Sequence, residues 1–154
     1  MHSAVIEAQL WQRWKGAQQL VVLVAFEDSS TGTRVKEFRQ DLPRRVGSQC
    51  RIIDHVWLFS MFRLRELREI AAEEAATADL VVLAMHNAEQ LSDEVKSWLA
   101  LWLPHLGPRK PLLVALLDPP REGVVRTIEA CLREQAQAGG NEILVESWLD
   151  NEGR

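Results

Sequence analysis

Short, almost wholly aliphatic runs alternate along this chain with longer stretches whose apolar residues recur every third or fourth position. The aliphatic runs are Leu20–Phe26 (LVVLVAF), Leu80–Met85 (LVVLAM), Leu112–Leu117 (LLVALL) and the shorter Glu142–Ser147 (EILVES). A fifth, Arg51–Phe59 (RIIDHVWLF), is broken by Asp54 and His55. Each has strand length, and continuous apolarity suits strands of a parallel sheet covered on both faces. The intervening segments predict helices. Val35, Phe38, Leu42 and Val46 mark the first, and Leu64, Leu67, Ala71, Ala75 and Ala78 the second. Val95, Trp98, Leu99, Trp102, Leu103 and Leu106 give the strongest stripe, behind the cap and acidic first turn Ser92-Asp93-Glu94. Val124, Val125, Ile128, Cys131 and Leu132 form the fourth, between Pro119-Pro120 and Gly139-Gly140. Ile6, Leu10 and Trp14 predict one more helix within residues 1–17, ahead of an α/β core over 18–150.

Strand and helix alternate strictly, with short connections. That pattern implies right-handed crossovers and a doubly wound, five-stranded parallel sheet with helices on both faces. Strand composition then orders the sheet. The second strand carries Asp54 and His55, and the fifth is short and flanked by Glu142 and Glu146, so both belong at edges. The first, third and fourth are uniformly apolar and belong inside. The order 2-1-3-4-5 satisfies both conditions.

A length of 154 residues suits one domain, and neither repeats nor a linker divide it. No apolar run is long enough to span a bilayer, and the first residues lack the pattern of a secretory leader. With only Cys50 and Cys131 in separate segments, two buried thiols in a reducing cytoplasm are expected rather than a disulfide framework or a metal site. A net charge of −4 argues against nucleic acid as a partner. Arg34, Lys36, Arg39, Arg44, Arg45 and Arg51 are interspersed with acids and apolar residues, as on a solvated helix face.

In a sheet of this order the ligand crevice lies beyond the carboxyl ends of the first and third strands, where the connections diverge. Candidate ligand-binding residues there are Asp28, Ser29, Ser30, Thr31, Gly32, Thr33, His86, Asn87 and Asp118; Ser147, Trp148 and Asp150 follow the last strand. The stretch SSTGT at Ser29–Thr33 resembles the phosphate loop of flavodoxins, which share this sheet order. That resemblance implies FMN or a nucleotide phosphate as a possible cofactor, with Trp57 or Phe59 for ring stacking. The same residues also suit a plain helix cap by a hydroxyl with a turn glycine, and Glu27 and Asp28 would repel an anion.

Glu27-Asp28 also resembles the acidic pair of two-component receiver domains, again of this fold and size. The phospho-acceptor aspartate of receivers is missing, because the third strand ends Met85-His86-Asn87. The fourth ends Leu117-Asp118 where receivers place Ser or Thr, and no lysine closes the fifth, only Glu146 and Ser147. Ala78-Asp79-Leu80-Val81-Val82 followed by Glu89 and Glu94 is similar to the third strand and catalytic glutamate of deoxyribosyltransferase-like and TIR-like domains, but their glycine-rich first turn is absent. His86, near Asp28 and Asp118, could serve as a general base, yet no motif sets a nucleophile beside it. No catalytic residue and no metal site are therefore assigned.

Six tryptophans and no tyrosine leave aromatic residues beyond those a core of this size needs. Trp11, Trp14, Trp57, Phe59 and Phe62 are the candidate interaction surface, either folded under the N-terminal helix or forming an apolar lip. The segments AFED, ELREIAAEEAATADLVVLA and EVKSWLALWL resemble a family of small bacterial proteins to which no activity is assigned. Together these features lead to the expectation of a cytoplasmic, non-enzymatic, receiver-like module acting through a protein partner or as a homodimer. A flavin- or nucleotide-binding domain is the alternative.

Overall fold

Five parallel strands form one sheet in the order β2-β1-β3-β4-β5: β1 (Gln19–Phe26), β2 (Arg51–Leu58), β3 (Leu80–Met85), β4 (Leu112–Leu117) and β5 (Ile143–Ser147). A computed structural model describes residues 8, 12–14, 16–47, 49–86, 91–108, 110–118 and 127–147. The helices are α1 (Ser29–Val46), α2 (Arg65–Thr77), α3 (Asp93–Trp102) and α4 (Thr127–Ala138), with short 3-10 turns at Phe59–Arg63 and Leu103–His105. Ala8 and Gln12–Trp14 are helical ahead of β1. This is the flavodoxin-like arrangement. Among the described residues no helix is long and apolar enough to cross a membrane.

Burial explains the order. Every residue of β3 and β4 is buried, whereas β2 alternates between exposed and half-buried positions. The charged residues of β2 are accommodated because an edge strand leaves room for partners on both faces. Asp54 pairs with Arg39 of α1 on one face, and Glu74 of α2 lies 3.4 Å from His55 and accepts a 2.7 Å hydrogen bond from Trp57 Nε1 on the other. Most of the arginine-rich first third is likewise matched by acids, with Arg34 on Glu37 and Arg44 and Arg45 both on Asp41.

Two apolar layers flank the sheet. Trp14, Val35, Phe38, Leu42 and Val46 cover one face, against Val22, Val24, Val82 and Val114. The other face packs Leu23, Val81, Leu83 and Ala115 under α2, α3 and α4. Small residues Ala71, Ala72 and Ala75 let α2 lie close to the tryptophans of α3. The α2 stripe begins later than its periodicity suggested, because Leu64 is the extended residue before the helix and is 62% exposed.

The surplus of aromatic residues has a different explanation from the one expected. Trp14, Phe59 and Phe62 are buried, so these three belong to the core and not to an interaction surface. Phe59–Arg63 coils into a 3-10 turn as β2 ends, and that tight turn swings Phe59 and Phe62 inward. Phe62 stacks on Trp98 with ring centroids 4.6 Å apart, and Trp98 in turn meets Trp102 at 5.3 Å. Trp14 packs on the opposite face of the sheet from Phe59 and Phe62. Trp57 is half-buried beside Phe62, and Trp11 lies outside the described residues. Cys50 is buried and Cys131 only partly so, and both are free thiols.

At the amino ends of the strands, Asp79 ties three of them together. Its carboxylate accepts from the Val21 N–H at 2.9 Å, its own N–H donates to Val21 O, and its carbonyl accepts from Leu112 N–H. Asp79→Ala would strand the Val21 N–H. An expected loss of about 1–3 kcal/mol follows from an orphaned, part-buried donor. Chemical denaturation should show that loss, and Asp79→Asn, which keeps an acceptor oxygen, should recover much of it.

Candidate active crevice

At the carboxyl ends, Phe26 lies level with Ala84, and Met85 with Leu117. The residues that follow, Glu27-Asp28, His86 and Asp118, therefore emerge side by side across the switch point. Glu27 reinforces this alignment twice. Its N–H donates to Ala84 O at 3.1 Å, prolonging the ladder, and its carboxylate accepts from the His86 N–H at 3.0 Å.

Only Glu27 and Asp28 separate β1 from α1, and Asp28 is the N-cap. Its Oδ1 accepts from the Thr31 N–H at 3.0 Å, while the Thr31 hydroxyl accepts from the N–H groups of Glu27 and Asp28 at 3.0 and 2.9 Å. This reciprocal capping box satisfies donors that a bare helix start would offer to an anion. The cap is thus the carboxylate of Asp28 and not a Ser or Thr hydroxyl. Thr31 is wholly buried as its partner, and Ser29, Ser30 and Thr33 are exposed on the first turns of the helix. Gly32 has a packing role. A Cβ there would stand 2.9 Å from Cε2 of Phe26, whose ring occupies that space. Ser29–Thr33 is accordingly helix and not an open loop.

His86 spans the crevice. Its Nδ1 lies 2.8 Å from Asp118 Oδ2, and its Nε2 lies 2.8 Å from Asp28 Oδ2. One imidazole thereby links the ends of β1, β3 and β4. The hydrogen bond to Asp118 raises the His86 pKa above its ordinary value against the opposing effect of burial, with Asp28 adding to the rise. For Asp28, burial acts upward, but hydrogen bonds from the Thr31 N–H and His86 outweigh it and hold the carboxyl below the usual range.

A cleft of about 630 Å³ opens beside this bridge. Met85, Phe59, Leu91 and Ile128 form its apolar floor, and Glu27, Asp28, Asp93, Glu94, Arg63 and His86 its polar walls. Arg63 lies 3.3 Å from Glu94 across the cleft. Sequence reasoning placed Asp28, His86 and Asp118 together but missed Arg63 and the two acids of α3 as their neighbours. Asp93 and Glu94 stood out as an acidic first helical turn, Glu94 also through its likeness to the catalytic glutamate of deoxyribosyltransferase-like domains, and the inward coil at Phe59–Arg63 had no signal beyond an aromatic run too long for a strand. Asn87, Glu89, Trp148 and Asp150 lie outside the described residues. Among the described residues no group of three or more His, Cys, Asp or Glu side chains is arranged to hold a metal ion. Comparison of the sequence with models of protein families and with curated proteins gives no match, so the crevice is interpreted through its own chemistry.

Proposed function

We propose that this chain is a non-enzymatic, receiver-like interaction module whose switch point is occupied by its own side chains. The observation that carries the proposal is the engagement of both ring nitrogens of His86 by carboxylates. A general base needs a free lone pair directed at substrate, and a nucleophile needs a neighbour to activate it. In this bridged form His86 offers neither. Phosphoryl chemistry of the receiver type is disfavoured in the same place, because the β3 end presents an imidazole instead of an aspartate. Glu27, Asp28 and Asp118 surround it with negative charge, which also opposes the phosphate of FMN or a nucleotide. Contact with a protein partner or a second copy is assigned to the crevice rim. Phe59, Ser60 and Arg63 of the 3-10 turn line the crevice, and the same turn exposes Met61, with exposed Leu64 following it.

Native mass spectrometry of freshly purified protein, with an absorbance spectrum of the same sample, tests this directly. The expected result is a colourless protein with no small-molecule mass attached and no phosphoryl adduct after incubation with acetyl phosphate and Mg²⁺. A dimer would identify a second copy as the partner, and a monomer would point to a different protein. A bound mass in the flavin or nucleotide range, or a phosphoryl adduct, would refute the proposal.

A further inference from the structure

The bridge at the switch point has a protonation requirement written into its geometry. Carboxylate oxygens accept hydrogen bonds and do not donate them, so two 2.8 Å contacts to carboxylates require an N–H on each ring nitrogen. Only the imidazolium form has both. A neutral ring would aim one lone pair at an anionic oxygen, and that contact must open. We propose that His86 is a proton-operated latch, tying the Glu27-Asp28 turn to the end of β4 in its charged form and releasing Asp28 in its neutral form. The regulatory consequence rests on the interaction-module proposal above, whereas the latch itself is a property of the free chain.

The surroundings decide which contact gives way. The Asp28 side chain is 46% exposed and that of Asp118 is 30% exposed, so water replaces the Asp28 contact more readily. Release also costs Asp28 little, because its other oxygen keeps the Thr31 N–H and the helix cap survives. The main chain of His86 stays anchored by Glu27. Opening is therefore a local movement of the ring and not an unfolding of the edge. Among the described residues, the charged groups facing His86 are Glu27 and Asp28 from the β1 turn and Asp118 from β4. Across the cleft stand Asp93 and Glu94 of α3, and Arg63 of the 3-10 turn is held by Glu94. From α4 only Ile128 reaches the cleft among the described residues. Among the described residues acids outnumber arginine here, so the crevice favours the charged ring, and its loss makes the rim still more negative. A partner reading that rim would sense the proton.

The raised pKa of His86 fixes the sign. Its stabilisation is complete below the ordinary imidazole value of about 6.5 and fades as pH rises through the raised folded value. Asp28, with its lowered pKa, contributes above its ordinary value and fails as pH falls through the folded one. The latch is closed between those two limits.

Nitrogen-15 NMR of the histidine rings across pH tests the proposal. The His86 ring is identified by its absence in His86→Gln or, should that variant not fold, as the ring left when His2, His55 and His105 are replaced by glutamine. The expected result is a midpoint above the ordinary value, with the Nδ1–H tautomer on the alkaline side. The Asp28 and Thr31 amide signals should shift over the same range. Asp28→Asn should lower the proton affinity of the ring about tenfold. An ordinary midpoint, unchanged in Asp28→Asn, would overturn the latch, as would an Nε2–H tautomer at high pH. A flavin or nucleotide in the native mass would refute the module proposal without altering this titration, so the two failures are distinguishable.

Discussion

Trp98→Ala is expected to cost about 3–5 kcal/mol of folding stability, the range for emptying a large aromatic site in a packed core. For a domain of this length that corresponds to a fall in melting temperature of roughly 6–20 °C. Trp98 is wholly buried, lies against Phe62 at 4.6 Å with ring planes 16° apart, and touches Trp102. Phe62 in turn stacks on Phe59, which floors the cleft. Removing the indole therefore withdraws support from the Phe59–Arg63 turn as well as from the core. Arg63 should lose its register with Glu94, and amide exchange across Phe59–Arg63 should quicken in any folded fraction. The indole N–H of Trp98 is buried without a hydrogen-bond partner among the described residues. Trp98→Phe keeps a ring over Phe62 and deletes that orphaned donor, so its cost should be only about 1 kcal/mol. Thermal and denaturant unfolding of the two variants side by side checks the claim. Equal damage from both would mean that the full indole volume, and not a ring stacked on Phe62, carries the stability.

The contrast between these aromatics and the sheet shows what a sequence of this kind discloses. Strand order was legible because burial on two faces and burial on one face demand different compositions. Asp54 and His55 could sit only where each face offers a charged or polar partner, and in the structure Arg39 and Glu74 supply them. The uniform runs of β3 and β4 could sit only inside. Asp28, His86 and Asp118 were legible as a group for a related reason. Each lies within two residues of the last apolar residue of a strand, and parallel neighbours bring such residues to one edge. What lies opposite them was not legible. Arg63 and Glu94 are 31 residues apart and meet because a 3-10 turn folds Phe59 and Phe62 inward onto α3, a choice made by tertiary packing. An aromatic run reads the same whether it turns in or out, and so Phe59, Phe62 and Trp14 looked like surface. The SSTGT segment misleads for a comparable reason. Hydroxyls and a glycine suit a phosphate loop, but Thr31 serves the Asp28 cap and Gly32 makes room for Phe26. Local composition names the residues that could act. The contacts that use them up are long-range or depend on side-chain direction.

Gly139→Ala is expected to destabilise by about 3 kcal/mol, the upper part of the range for overpacking. A Cβ at this position would stand 2.2 Å from Leu103 O, 3.0 Å from Leu103 C and 3.4 Å from Pro104 Cα. All three are backbone atoms of the 3-10 turn after α3, so no side chain can swing aside. The end of α4 or the Leu103–His105 turn must move instead. The backbone of Gly139 itself is not in the left-handed region, which makes the objection purely steric. Its neighbour is the natural control. Gly140 has φ +73°, and its added Cβ would meet only the mobile tip of Lys110 at 3.0 Å. Gly140→Ala should cost roughly 1–2 kcal/mol, through the left-handed backbone. Denaturant midpoints of the two variants should thus rank Gly139→Ala as the more damaged, and the reverse order would show that α4 does not end against Leu103 as described. Neither residue lines the crevice. If Gly139→Ala folds, its His86 titration should match that of the parent protein, separating loss of packing at this end of the sheet from any change in the latch at the other.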